Sequence, residues 1–360
     1  MKKALTRILG GIVGLILFLT ILVYSLSFHP ADVQSEPVSC PASTPELTPG
    51  AKVTILTWNV QFMAGKKYFF FYGGGPDTRP KTEDIVATTK EAARVILEEK
   101  PDIILLQEVD HGAKRTDKRD QLADLLKEVH AKSPALYPCH ASAFYWKTAW
   151  NPHPKLLGST GMKLSTVSRF KISKATRYAL SGITSNDVIT RQFNLKRALL
   201  ETRLPVKGAN ELVLLNTHLS AFAQGTNTME LQVKQAADLL DGYNKAGLPW
   251  ILGGDFNLLP PGKSRSLLSP ANQKKFNPKP EIAPLYEKFV GFPTLADVNG
   301  PNHEKWRTFL PNNPKHKQPT YTIDYFFVAR TLKPLSHRVR HGDTHKISDH
   351  MPLFLEFQLP

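Results

Sequence analysis

Cysteine is nearly absent from this chain of 360 residues, which holds two, Cys40 and Cys139. Two thiols cannot build a four-cysteine zinc cluster or a multi-bridge disulfide scaffold, and these two carry no spacing signature of metal or redox chemistry. In an oxidising compartment they could close one disulfide that pins the N-terminal linker; otherwise they are two free thiols. Acidic charge is in deficit, with 31 Asp and Glu against 46 Lys and Arg, a formal net charge of +15 and a pI near 9.6. That sign favours polyanionic surroundings such as nucleic acid, anionic lipid head groups or phosphorylated molecules, although most surface charge is merely solvated. No repeat of fixed period and no low-complexity tract is present, which argues against solenoids and fibres. A hydrophobic content of 41% is enough for one large domain or two small ones with a well-buried core.

Long apolar runs are also scarce, with one exception. Lys2, Lys3 and Arg7 precede an uncharged stretch over 8–28, long enough as a helix to cross the hydrocarbon core of a membrane. Positive charge stays inside, so we expect 1–7 to be a cytoplasmic basic tail and 8–28 a transmembrane signal anchor. The remainder then lies outside, in the periplasm of a bacterium whose inner membrane holds the single span. A cleaved signal peptide is the alternative, because Ser25 and Ser27 are small residues at cleavage-like spacing, but its apolar region would be shorter. Cys40 lies too far beyond the run to be a lipid-attachment site. Residues 29–51 are rich in Pro, Ser, Thr and Glu without an apolar period and read as a flexible stalk, leaving 52–360 as the folded domain.

Within that domain, 53–58 is β-rich and ends at Asn59, and 83–100 carries Ile85, Val86, Ala92, Val95 and Ile96 at helical spacing before Pro101. A short apolar run at 103–106 is typical of a buried strand, and 121–131 is again helical. Further strands are expected at 163–170, 197–204, 211–216, 250–252, 321–328 and 353–357, with a helix over 229–243. Alternating strands and helices with several strand neighbours predict a single α/β domain of helix-covered sheets.

Polar residues stand where these buried strands run out. Asn59 closes the first, Glu108 closes IILLQEV, Asn216 and His218 close LVLLNTHL, Asp255 and Asn257 follow WILGG, and Asp349 and His350 precede the final strand. Asp324 sits between Ile323 and Tyr325 and needs a partner there. Each alone has an innocent explanation: Asn59 as a turn residue, His218 as a satisfied core histidine, Asp255 as a helix N-cap, Asp324 as half of a structural salt bridge. Together they form an inventory with hard oxygen ligands for Mg²⁺, a base for water and donors for phosphoryl oxygens.

The ordered set WNV at 58–60, LLQEV at 105–109, NTHL at 216–219, GGDFN at 253–257, IDYFFV at 323–328 and SDHMP at 348–352 resembles the endonuclease/exonuclease/phosphatase superfamily. The resemblance spans 52–360 and implies a four-layer α/β sandwich, two central mostly antiparallel sheets flanked by helices, preceded here by the N-terminal transmembrane helix. It implies a divalent-metal-dependent phosphoester hydrolase, with Mg²⁺ as the cofactor and Mn²⁺ as the substitute. Carried over by position, Glu108 is the principal metal ligand, with Asn59 and Asp349 on or near the metal. Asp255 orients or deprotonates the attacking water, and Asn257 holds that water or the phosphate. His350 contacts the scissile phosphate, Asp324 orients an imidazole, and His218 stabilises the transition state or leaving oxygen. Both histidines are expected to be protonated donors held by carboxylates.

The departures narrow the branch. Abasic-site endonucleases usually have an acid where this chain has Gln61 and lack the histidine of NTHL, so the pattern is nearer to deoxyribonuclease I and neutral sphingomyelinases. The stretch 66–75 joins two lysines, five aromatics and a glycine run, and reads as a core-packing strand or as a membrane-interface or base-stacking loop. Residues 260–319, rich in Pro, Lys and Asn, are expected to be long loops with a short helix near 282–289. His337, His341 and His345 are read as solvated loop residues rather than a second metal site. Three readings follow: hydrolysis of a lipid head group or other phosphorylated substrate at the membrane, an extracytoplasmic nuclease, and a non-catalytic binding protein on the same fold. The last would lack a motif carboxylate or histidine, and none is missing. No protein partner is expected.

Overall fold

A computed structural model describes residues 2–183, 185–221 and 223–360. In chain order the strands are β1 (Val33–Ser35), β2 (Val38–Ser39), β3 (Lys52–Asn59), β4 (Ile103–Asp110), β5 (Cys139–Asn151), β6 (Gly158–Ser168) and β7 (Lys174–Ala179). They continue as β8 (Ala198–Leu204), β9 (Leu212–His218), β10 (Trp250–Asp255), β11 (Val290–Phe292), β12 (Asp324–Val328), β13 (Lys333–Val339) and β14 (Leu353–Gln358). The helices are α1 (Lys2–Leu26), α2 (Thr82–Glu99), α3 (Gln121–His130), α4 (Val188–Phe193), α5 (Thr228–Lys245) and the short α6 (Pro270–Gln273), α7 (Ala283–Lys288) and α8 (Leu295–Asn299).

Two seven-stranded sheets form, in the orders β1-β7-β8-β9-β10-β12-β11 and β13-β14-β3-β4-β6-β5-β2. Each has one parallel pair, β9 with β10 and β3 with β4, and is otherwise antiparallel. The outer face of one sheet packs on α5 and α7 through Val233, Leu240, Trp250 and Phe327; that of the other packs on α2 and α3 through Val95, Ile96, Leu125 and Leu106. Between the sheets lie Ile55, Leu105, Leu214, Ile251, Phe326 and Leu355. The result is the expected four-layer sandwich. Gly253 belongs to this interface, because a Cβ there would lie 2.6 Å from the Phe326 ring and 2.9 Å from Leu105 of the facing sheet, while at Gly254, with φ +152°, a Cβ would lie 2.0 Å from Thr217 O of the paired strand β9.

The expected strands and helices recur with ends shifted by a few residues. Besides β1, β2 and the three-residue β11, three strands escaped the sequence pattern. The largest, β5, alternates inward Cys139, Ala141, Ala143 and Tyr145 with outward His140, Ser142 and Trp146; small inward residues give it no apolar signature. Strand β7 carries Lys174 and Arg177, and β13 is a largely exposed edge. The 66–75 stretch is not a strand: it is a loop whose Phe70 packs on Phe62 while Tyr72 is exposed.

Residues 29–51 differ from the flexible stalk expected of them. Val33–Ser35 pairs with β7 in one sheet, Val38–Ser39 with β5 in the other, Leu47 is wholly buried, and Cys40 is disulfide-bonded to Cys139. The segment lacks an apolar period because it is held by backbone pairing and isolated anchors rather than by one buried face. The bridge joins residues 99 apart, so Cys139→Ser is expected to cost about 2–5 kcal/mol of stability, read as a lower urea midpoint that dithiothreitol reproduces in the parent protein. Helix α1 starts at Lys2 rather than at residue 8. At 25 residues it is about 37 Å long, with a mean hydropathy of 2.5 in its most apolar window and no buried residue. It is long and apolar enough to span a membrane.

Candidate active site

The parallel pairs place four motif residues at one edge of the sandwich. Strands β3, β4, β9 and β10 end at or beside Asn59, Glu108, His218 and Asp255. The antiparallel neighbours β12 and β14 start at that same edge, and so bring Asp324, opposite Asp255, and the 348–352 turn. Residues scattered over nearly 300 positions therefore meet because of strand direction alone. The turn is held in place by the first motif: Trp58 Nε1 donates to His350 O at 2.9 Å and Ser348 Oγ to Asn59 O at 2.7 Å.

Asn59 is the centre of the carboxylate cluster. Its Nδ2 donates to Glu108 Oε1 at 3.2 Å and to Asp255 Oδ2 at 3.0 Å, while its Oδ1 accepts from Gln61 N at 3.0 Å. In this geometry it spaces the two carboxylates, and a direct place on a metal would compete with those bonds. Asp255 Oδ2 also lies 3.3 Å from His218 Nε2 and 3.5 Å from His350 Nε2. His350 Nδ1 meets Asp324 Oδ2 at 2.8 Å. Asn257 N donates to Asp255 Oδ1 at 2.9 Å, and its Nδ2 is spent on Leu219 O. Glu108 and Asn257 hold φ of 57° and 54°, left-handed values that side chains adopt where the surroundings impose them.

Burial would strip the proton from His350, yet the charges of Asp324 and Asp255 outweigh it and raise the imidazole to about 10. Burial raises Asp255 to about 7, against the pull of His350. Burial raises Glu108 too, and the Asp349 charge adds to it. His218 differs from expectation: burial, with the positive charges of Arg197 and His350, pushes it well below the ordinary imidazole range. It is therefore neutral. A neutral His218 accepts a hydrogen bond from the Tyr145 hydroxyl at Nδ1, 3.1 Å away, and turns Nε2–H toward Asp255.

Tyr145 and Arg197 were missed by the sequence reading. The Tyr145 hydroxyl accepts from Glu108 N at 3.2 Å, and the Arg197 guanidinium lies 5.4 Å from the Tyr145 ring centroid. Arg197 is 8% exposed, and its Nη1 has no hydrogen-bond partner among the described residues. The basic pair before the apolar run ALL was the available signal. Asn216, in contrast, is structural: it accepts from Gln107 Nε2 and donates to Leu106 O and Ser165 O, riveting the two sheets. His337 pairs with Asp297, and His341 bonds Lys305 O beside His345, outside this cluster.

The donor set suits a hard divalent cation. Burial first and the Asp349 charge second raise the Glu108 carboxyl above its ordinary range, and a cation between the two carboxylates would remove that cost. Asp255, Asp324 and His350 also offer atoms within 4.8 Å of one another, but His350 is protonated and bonded to Asp324, so its ring has no free lone pair. In metal-free protein the raised carboxylates bind more protons folded than unfolded, so stability falls as pH rises from about 4 through about 7. Adding Mg²⁺ at pH 8 is expected to raise the melting temperature of the protein, and Glu108→Gln to abolish that rise.

Fold and cluster define a class of α/β sandwich that handles phosphoesters, whose members are hydrolases. The Endonuclease/Exonuclease/phosphatase family model matches residues 56–350, and the chain belongs to that family. A family member from Beutenbergia cavernae has 20% identity and a TM-score of 0.55 over 86% of this chain and 72% of its own. The human Nocturnin catalytic domain, solved with a bound sulfate anion, shares 17% identity with a TM-score of 0.52 over 89% and 97% of the two chains. A family protein from Leptotrichia buccalis shares 16%, with a TM-score of 0.52 over 84% and 98%. At these identities the likeness is one of fold. No curated protein matches the sequence.

Proposed function

We propose that this chain is a Mg²⁺- or Mn²⁺-dependent phosphoester hydrolase, tethered by α1 to the outer side of a bacterial inner membrane, with residues 1–7 on the cytoplasmic side. It acts there on a lipid head group or another phosphorylated substrate. The observation that supports this most is one carboxylate, Asp255, held between Asn59, His218 and His350 at the edge where Glu108 and Asp349 converge.

Glu108 and Asp349 would hold the cation, which when bound supplies positive charge to phosphoryl oxygens. Asp255 takes the proton of the attacking water, and Asn257 positions that water from the adjoining turn. His350, kept protonated by Asp324, donates to a phosphoryl oxygen as negative charge builds there. His218 stays neutral, is oriented by the Tyr145 hydroxyl at Nδ1 and holds Asp255 in place. Arg197, buried beside Tyr145 and within electrostatic reach of Asp255 and Glu108, adds positive charge behind the phosphoryl site without touching it. Arg197→Met is expected to raise KM and lower kcat/KM about 10²- to 10³-fold, with the melting temperature unchanged or higher because an unpaired buried charge is removed.

The test is hydrolysis of bis(p-nitrophenyl) phosphate, phospholipid, DNA and RNA by the purified chain with Mg²⁺, Mn²⁺ or EDTA. Turnover must need the cation and vanish in Glu108→Gln. Activity indifferent to EDTA sinks the proposal. The basic net charge supports a nuclease as the second reading; there, turnover of DNA or RNA falls steeply with salt, whereas a small ester shows little salt dependence.

A further inference from the structure

We propose that the rim of the sandwich beside the active site is a membrane-docking face that seats on anionic phospholipid, built by α4, the β5–β6 hairpin tip and the 66–75 loop. This deepens the reading of a hydrolase tethered by α1.

Outside α1, ten large hydrophobic side chains are exposed among the described residues, and five of them, Val188, Ile189, Trp150, Leu157 and Tyr72, fall on these three elements. Val188 and Ile189 are 68% and 65% exposed although α4 is a properly formed helix, capped by Asp187 accepting from Ile189 N and Thr190 N. Soluble surfaces rarely hold such residues in clusters without a partner.

The elements are joined to one another. Helix α4 packs beside α1 and β5, and Trp146 Nε1 of β5 donates to Phe193 O of α4 at 2.8 Å. At the hairpin tip His153 stacks on Phe71 with centroids 5.7 Å apart, and Lys155 Nζ lies 5.3 Å from the Phe71 ring. Lys114 Nζ donates to Leu157 O at the same tip.

Two observations choose a bilayer as the occupant. The first is continuity with the anchor: the chain leaving α1 is pinned here, with Phe28 6.4 Å from Phe144 of β5 and Arg177 5.9 Å from the Phe28 ring. A bilayer holding α1 therefore lies against these elements. The second is charge: exposed Lys114, Lys147, Lys155 and Arg191 interleave with the apolar residues, the mixture that inserts at head-group depth and pairs with lipid phosphates. Trp150 and Tyr72 are of the type that settles at that level. Tyr72 also joins the face to the chemistry, since its hydroxyl is 3.5 Å from Gln61 Nε2, next to the Asn59 carboxylate clamp. Docking would bring the site mouth to lipid head groups, so substrates drawn from the membrane reach it without leaving the interface.

The fragment 28–360 isolates the face from the anchor. It is expected to fold, since α1 buries no residue and the core clusters draw on residues 47–359. Its binding is measured by co-sedimentation with vesicles of equimolar phosphatidylcholine and phosphatidylglycerol. The proposal expects binding that weakens with salt and is poorer on phosphatidylcholine alone. Val188→Asp with Ile189→Asp should lower the partition coefficient at least tenfold with unchanged circular dichroism and melting temperature, and Trp150→Asp should act the same way. No binding to the anionic vesicles, or binding that both variants keep, overturns it. Hydrolysis of bis(p-nitrophenyl) phosphate by the same fragment separates the two readings. A fragment that hydrolyses without binding overturns the face alone, and one that binds without hydrolysing supports the face and overturns the hydrolase.

Discussion

Asp255→Asn is expected to lower kcat by about 10³- to 10⁴-fold, the scale of a lost positioned base, while the protein stays folded. The substitution keeps the shape of the side chain and removes a carboxylate that burial has already raised to about 7. Its neighbours are poised to receive charge: Asn59 Nδ2 at 3.0 Å, the Asn257 amide at 2.9 Å and the His350 ring at 3.5 Å. An amide still accepts from one of these donors, so the melting temperature of the metal-free protein should not fall. Steady-state turnover within tenfold of the parent, in a folded variant, would falsify the role of Asp255.

The second large effect is on pH dependence. The parent kcat/KM is expected to rise as Asp255 loses its proton, at or below about 7 once a cation is bound, and to fall as His350 loses its proton near about 10. Asp324→Asn removes the anion 2.8 Å from His350 Nδ1 and should pull the alkaline limb down by more than one pH unit, with a drop in kcat of about 10². The linkage has a definite sign. His350 is raised above its unfolded value near 6.5, so its contribution to stability is complete below that pH and is lost as pH rises through about 10. An alkaline limb that stays in place in Asp324→Asn is incompatible with His350 as the donor.

Much of the site was legible along the chain because polar residues at the ends of apolar runs are costly unless they serve something. Asn59, Glu108, His218, Asp255, Asp324 and His350 all belong to strand-end motifs, and all six lie in one cluster of hydrogen bonds and ion-pair contacts. Asn216 came from the same pattern and proved to be a rivet between sheets, because a strand-end amide looks alike whether it faces a site or a neighbouring sheet. Tyr145 and Arg197 could not be ranked from sequence. Tyr145 is one aromatic in an alternating strand of small residues, and Arg197 one of 46 basic residues; what singles them out is the hydroxyl beside His218 and the guanidinium nitrogen without a partner.

The sequence by itself determined the apolar N-terminal helix, the succession of buried strands and amphipathic helices, and the family motifs, since these rest on local periodicity and on residue types at strand ends. Tertiary structure alone decided that residues 29–51 lie across both sheets, that one histidine is protonated and the other neutral, and that Val188, Ile189 and Trp150 share the rim next to α1. Each of these depends on which distant groups become neighbours. Protonation follows from burial and nearby charge, and pairing of a segment without apolar period follows from the edge strands it meets; neither is carried by the local spacing of residues.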